Sequence, residues 1–102
     1  MKITIYEHPG SNTATMTVSG NVEFHNVNKF RAAFYPIIEK KVTDLTIDFG
    51  EILYIDSSAL GVLAIMYKKM KEYDGTIQLI NVADDVLALF RISTLDKLIS
   101  IH

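Results

Sequence analysis

The sequence contains no cysteine, which excludes a disulfide framework, a thiolate zinc site and a cysteine nucleophile at once. A chain without thiols is in keeping with a reducing compartment. It also lacks an excess of either charge: ten Lys plus Arg stand against twelve Asp plus Glu, a formal net charge of −2. Nucleic-acid binding draws on a strong basic surplus, so that class of partner is not expected. No stretch reaches the ~18 consecutive apolar residues of a membrane span. The opening MKITIYEHPG has no apolar run of the signal-peptide kind. Gly-rich phosphate loops and the G-x-S-x-G elbow are missing, which leaves nucleotide binding and hydrolase chemistry without a motif. His8, His25 and His102 are scattered, with no metal-ligand spacing. The expectation is therefore a small cytoplasmic protein with no metal, no cofactor and no membrane insertion, its function left open by composition. Its 102 residues suffice for one domain with a core that needs no staples. Oligomeric state is left open.

What is present is a clear alternation of periods. Lys2 to Glu7 and Thr13 to Ser19 both alternate polar and apolar residues, as half-buried strands do. His8-Pro9-Gly10-Ser11-Asn12 between them is turn chemistry, so the pair reads as a hairpin. From Asn26, a candidate N-cap, Val27, Phe30, Phe34, Ile37 and Ile38 recur at helical spacing. Pro36 should kink this helix, and Lys40-Lys41 should close it. Leu45 to Phe49 predicts a strand, Ala59 to Glu72 a helix and Thr76 to Ile80 a strand. Asp84 to Arg91 then predicts a short helix, and Lys97 to Ile101 a last strand. The order β-β-α-β-α-β-α-β implies an α/β fold, a mixed β-sheet with helices packed on it.

Asp56-Ser57-Ser58 stands between a strand-like run and the longest helix. Loops at the carboxyl ends of parallel strands are where ligands and partners are commonly met. Two readings of the triplet stay open. Asp56 or Ser57 caps the helix, worth ~1 kcal/mol. Alternatively a serine here carries a phosphate, for which the helix N-terminus offers N–H donors and partial positive charge. The helix that follows is apolar nearly all round from Ala59 to Tyr67, with a polar face only at Lys68, Lys69, Lys71 and Glu72. Part of it, among Val62, Ile65, Met66 and Met70, is expected to remain exposed as a protein-docking patch. A helix buried on several sides is the competing reading.

The stretch Ile55-Asp56-Ser57-Ser58-Ala59-Leu60-Gly61-Val62-Leu63 resembles the signature of the STAS domain, in the form found in bacterial anti-sigma factor antagonists. Gly20 after its strand, Ile47-Asp48-Phe49, Gly75 before Thr76-Ile77-Gln78-Leu79, and Leu89 to Ile99 extend the similarity over nearly the whole chain. The resemblance implies a single STAS domain over residues 1–102. It further implies a partner-switching regulator in which Ser57 is phosphorylated by a serine kinase that is also an anti-sigma factor. A PP2C-type phosphatase would reverse the modification, and the unphosphorylated form would bind the kinase. Asp56, Ser58, Glu23, Ala59, Val62 and Met66 are the expected partner-binding residues. Two positions depart from the family's pattern. Ala59 stands where Gly is usual, and Gly20-Asn21-Val22-Glu23 replaces the Gly-Glu-Leu-Asp turn, so that Glu23 substitutes for its Asp. The alternative within the same fold is a non-phosphorylated structural or ligand-binding subunit of a transporter or signalling complex.

Overall fold

Thr13, Thr15, Thr17 and Ser19 alternate with Ala14, Met16 and Val18 along β2 (Thr13–Ser19), and that alternation sets the layering of the molecule. The three apolar residues are buried while the hydroxyl residues face outward. The same division holds in β3 (Asp44–Glu51), with Leu45, Ile47 and Phe49 inside, and in β4 (Thr76–Ile80), with Ile77 and Leu79 inside. A computed structural model describing residues 1–102 supplies the remaining elements. β1 (Lys2–Glu7) pairs antiparallel with β2, while β3, β4 and the two-residue β5 (Ser100–Ile101) add in parallel. The five-stranded sheet thus runs β1-β2-β3-β4-β5, mixed as the sequence implies. Parallel neighbours require crossover connections, and helices provide them.

Those helices are α1 (Val27–Ala33), α2 (Tyr35–Glu39), α3 (Ser57–Lys71) and α4 (Asp84–Ile92). Their inward residues, among them Phe30, Ile37, Leu63, Met66 and Phe90, join the apolar side of the sheet in one core. No polar or charged residue is buried in it. The other sheet face stays polar: Gln78 Nε2 donates to Thr46 Oγ1 across β3 and β4 at 2.9 Å.

Three local expectations change. The first helix is split at Phe34, and Pro36 stands in the first turn of α2, where its missing N–H removes no helical bond. Phe30 and Phe34 meet edge to face across the break, ring centroids 5.3 Å apart. Asn26 occupies the N-cap position of α1 without capping it. Its side chain accepts from Glu23 N at 2.8 Å and donates to Asn21 O at 3.0 Å, and so closes the loop that precedes the helix. The predicted strand Lys97–Ile101 shrinks to β5, preceded by a single 3-10 turn at Leu95–Lys97. Leu95 and Ile99 are buried while Lys97 between them is exposed, and Leu98 N and Ile99 N both donate to Leu95 O, as in a turn and not in a strand. Lys40 and Lys41 lie just beyond α2, and Lys40 pairs with Glu7 of β1 at 2.7 Å.

One irregularity positions the site. The β2–β3 register shifts between Thr17 and Ser19, and Gly20 follows with φ +84. A Cβ there would lie 3.2 Å from the Met1 backbone, so glycine suits both the left-handed turn and the close approach. The chain is thereby turned toward the segment that leads into α3.

Candidate functional site

After β3 the chain reaches α3 through residues 52–56. Ile52 and Ile55 are buried and anchor this segment, so Leu53 and Tyr54 between them arch outward. Asn21 spans the gap to the Gly20 turn: its Oδ1 accepts from Leu53 N at 3.3 Å and Tyr54 N at 3.1 Å. Val22 forms an isolated parallel bridge with Ile55, and Asp56 N donates to Val22 O at 3.2 Å. Two loops some thirty residues apart are therefore stitched into one corner at the carboxyl end of β2 and β3.

Asp56 completes the stitching and starts the helix. Its backbone is extended at the N-cap position, and Oδ1 accepts from Ser58 N at 3.0 Å and from the Ser58 hydroxyl. Oδ2 accepts from Phe24 N at 2.8 Å. The capping reading of Asp56 is thus correct, and the carboxylate has a second task in holding the Phe24 loop. The Ser58 hydroxyl, helped by the N–H groups of Phe24, Ser58 and Ala59, lowers the Asp56 pKa against the opposing effect of burial. No Glu or Gln closes a capping box from the third helical position, so Asp56 carries the N-terminus of α3 with its own two oxygens.

Ser57 is the first residue of α3 and is exposed. Its hydroxyl has no hydrogen-bond partner in the chain, whereas that of half-buried Ser58 is taken by Asp56. Glu23 lies in the loop bound to Asp56, but its carboxylate faces His25, 3.8 Å from Nδ1, and makes no hydrogen bond to Ser57. The structure brings the Glu23 loop to the serine without bringing the carboxylate onto it.

Ala59, Val62 and Met66 do not face solvent: they are 0%, 2% and 2% exposed. The expectation that they line an open docking patch is corrected by the helix's registry on the sheet. Positions 59, 62, 63, 66 and 70 point into the core, and Ser57, Gly61, Ile65 and Lys68 form the outer stripe. The apolar surface beside Ser57 comes instead from the two stitched loops: Phe24 is 81% exposed, Leu53 77% and Tyr54 50%. Sequence reasoning missed these three and Asn21. An aromatic residue set between Glu23 and His25 in a polar turn was the available signal for Phe24.

The corner is open, with no enclosed pocket, and no three His, Asp or Glu side chains are grouped to hold a metal. No helix is long and apolar enough to cross a membrane. What the arrangement presents is one free hydroxyl at a positive helix end, rimmed by apolar side chains.

Comparison with known proteins gives a consistent picture. The family model of the STAS domain matches residues 2–102. The anti-sigma-B factor antagonist of Bacillus subtilis is 27% identical over 101 residues, covering 99% of this chain and 92% of that protein. Among solved structures, an anti-sigma factor antagonist from Mycobacterium paratuberculosis superposes with a TM-score of 0.86 at 19% identity, over 99% of this chain and 84% of that one. The Bacillus cell fate determinant SpoIIAA in its phosphorylated form superposes with a TM-score of 0.74 at 20% identity, over 99% and 91% of the two chains. At these identities the two structures speak to the fold.

Proposed function

The chain belongs to the STAS domain family, and from that premise we propose that it is a partner-switching regulator of the anti-sigma factor antagonist type. In this reading Ser57 accepts a phosphoryl group from a serine kinase that doubles as an anti-sigma factor, and a PP2C-type phosphatase removes it. The unphosphorylated form binds the kinase in the cytoplasm. The protein is the substrate of this chemistry and performs none itself. One observation carries the reading: Ser57 is the exposed, unengaged hydroxyl at the N-terminus of α3, set beside Phe24, Leu53 and Tyr54.

The physics of such a switch follows from the geometry. Phosphorylation adds about −1.5 to −2 charges at neutral pH. First-turn N–H groups and the helix dipole accommodate that charge, so the fold survives it. A partner surface that packs on Phe24, Leu53 and Tyr54 meets instead a dianion beside the Asp56 carboxylate, and loses contact through repulsion and desolvation. Asp56 and Ser58 support this docking surface from beneath, and Glu23 borders it.

Ser57→Ala and Ser57→Asp proteins used as baits in extract of the native cell test the proposal. A serine kinase should be captured by the first and not by the second, and should place phosphate on Ser57 of the unaltered protein with Mg-ATP. Equal capture by both baits, or phosphate confined to Ser93 or Thr94, refutes it.

A further inference from the structure

We infer that the Asp56 carboxylate selects between the two adjacent serines, holding the Ser58 hydroxyl and leaving that of Ser57 as the nucleophile the site offers. This rests on the proposed function and concerns which oxygen reacts. Ser57 and Ser58 are identical in chemistry and neighbours in sequence, so their environments must distinguish them. Ser58 Oγ donates to Asp56 Oδ1, the oxygen that also accepts from Ser58 N at 3.0 Å. Oδ2 is fixed by Phe24 N at 2.8 Å, so the carboxylate does not turn away from Ser58 without releasing the neighbouring loop. Ser58 is half-buried as well, and Ser57 is exposed.

In the transfer itself, a serine oxygen attacks the γ-phosphorus of a nucleoside triphosphate. The new O–P bond forms as the bond to the nucleoside diphosphate breaks, and the hydroxyl proton passes to a base on the kinase. At Ser58 that proton is engaged by Asp56, and the product phosphate would stand against a carboxylate that is held in place. Ser57 makes no hydrogen bond to that carboxylate, so its proton is free and its phosphate, though beside Asp56, displaces no bond from it. Asp56 is consequently a positioning residue: both its oxygens are occupied, and it takes no proton from Ser57.

The test uses the kinase recovered with the unphosphorylated bait, Mg-ATP, and fragmentation mass spectrometry of the peptide that holds both serines. In the unaltered protein, phosphate on Ser57 should exceed that on Ser58 by at least about tenfold, as expected when a hydrogen bond to a charged group must first be broken. With Ser57→Ala, Ser58 should react slowly. Adding Asp56→Ala should speed it at least about tenfold, while Asp56→Asn, which keeps an oxygen acceptor, should leave it slow. Circular dichroism establishes that each variant is folded. Should the Asp56→Ala form be unfolded, hydroxyl-proton exchange in the unaltered protein decides, with Ser58 expected to exchange at least about tenfold more slowly than Ser57. Equal Ser58 reactivity with and without the carboxylate, or equal exchange of the two hydroxyls, overturns the inference while Ser57 remains the acceptor. Phosphate on neither serine of the unaltered protein overturns the proposed function, and this selection with it.

Discussion

Replacing Asp56 by alanine removes three hydrogen bonds with one side chain: those from Ser58 N, from Ser58 Oγ and from Phe24 N. Loss of an N-cap costs about 1 kcal/mol. The bond from Phe24 N to a charged acceptor adds, at this half-exposed position, about 0.5–1.5 kcal/mol. The expected loss is therefore about 1.5–2.5 kcal/mol at pH 7, or a fall in Tm of about 6–12 °C for a chain of this size. Charge makes the effect depend on pH. The Asp56 pKa is lowered in the folded protein, first by the Ser58 hydroxyl, so the unfolded chain binds the proton more readily. Its contribution is present above the unfolded carboxylate range near ~3.9 and is lost as pH falls through the folded value. Urea denaturation of both proteins at pH 7 and pH 3 measures this, with Asp56→Asn separating charge from acceptor. The gap between the unaltered and alanine proteins should narrow at pH 3. A gap under about 0.5 kcal/mol at pH 7, or one of equal size at both pH values, refutes the assignment of Asp56 as a charged clip between α3 and the Phe24 loop.

The inward and outward positions of α3 give a second check: Met66→Ala should cost about 2–5 kcal/mol, and Ile65→Ala on the outer stripe under about 0.5 kcal/mol by the same urea measurement. Comparable losses would mean the helix sits on the sheet in a different rotation. Tyr73 carries a buried hydroxyl with no partner, and burial pushes its pKa up. Tyr73→Phe should hold or raise the thermal midpoint, and a loss above about 1 kcal/mol would reveal a hydrogen bond at that oxygen. Gly20→Ala should destabilise by about 1–2 kcal/mol from its left-handed φ, with further cost from the Met1 backbone. An unchanged midpoint would argue against that turn.

The strands were legible because their periodicity is local. TATMTVS states its own inner and outer faces, and β1, β2 and β4 begin and end where alternation does. Asp56 was equally legible, since a cap depends only on the residues beside it. The rotation of α3 was not: from Ala59 to Tyr67 almost every residue is apolar, so no period marks which side is inward. Only the packed sheet selects Val62, Leu63 and Met66 over Ile65. Lys97 to Ile101 misled for another reason, because Leu98, Ile99 and Ile101 read as strand residues although only Ser100 and Ile101 pair and a 3-10 turn precedes them. The exposed corner of Phe24, Leu53 and Tyr54 had one local signal, the aromatic Phe24 between Glu23 and His25, and none that joined it to Leu53 and Tyr54. It exists through Asn21 and the Val22–Ile55 bridge, contacts between segments some thirty residues apart.

Strand order in the sheet is the same as strand order in the chain. Each strand after the first pairs with the strand before it in the chain, so every sheet pairing joins successive strands. The corner around Ser57 does not follow that order. Its Phe24 loop, closed locally by Asn26, is clipped to the start of α3 by Asp56, thirty-two residues later. The aromatic loop and the serine beside it are therefore supplied by segments the sheet pairing does not make neighbours. The corner is thus a property of the folded chain as a whole, and no single segment of the sequence carries it.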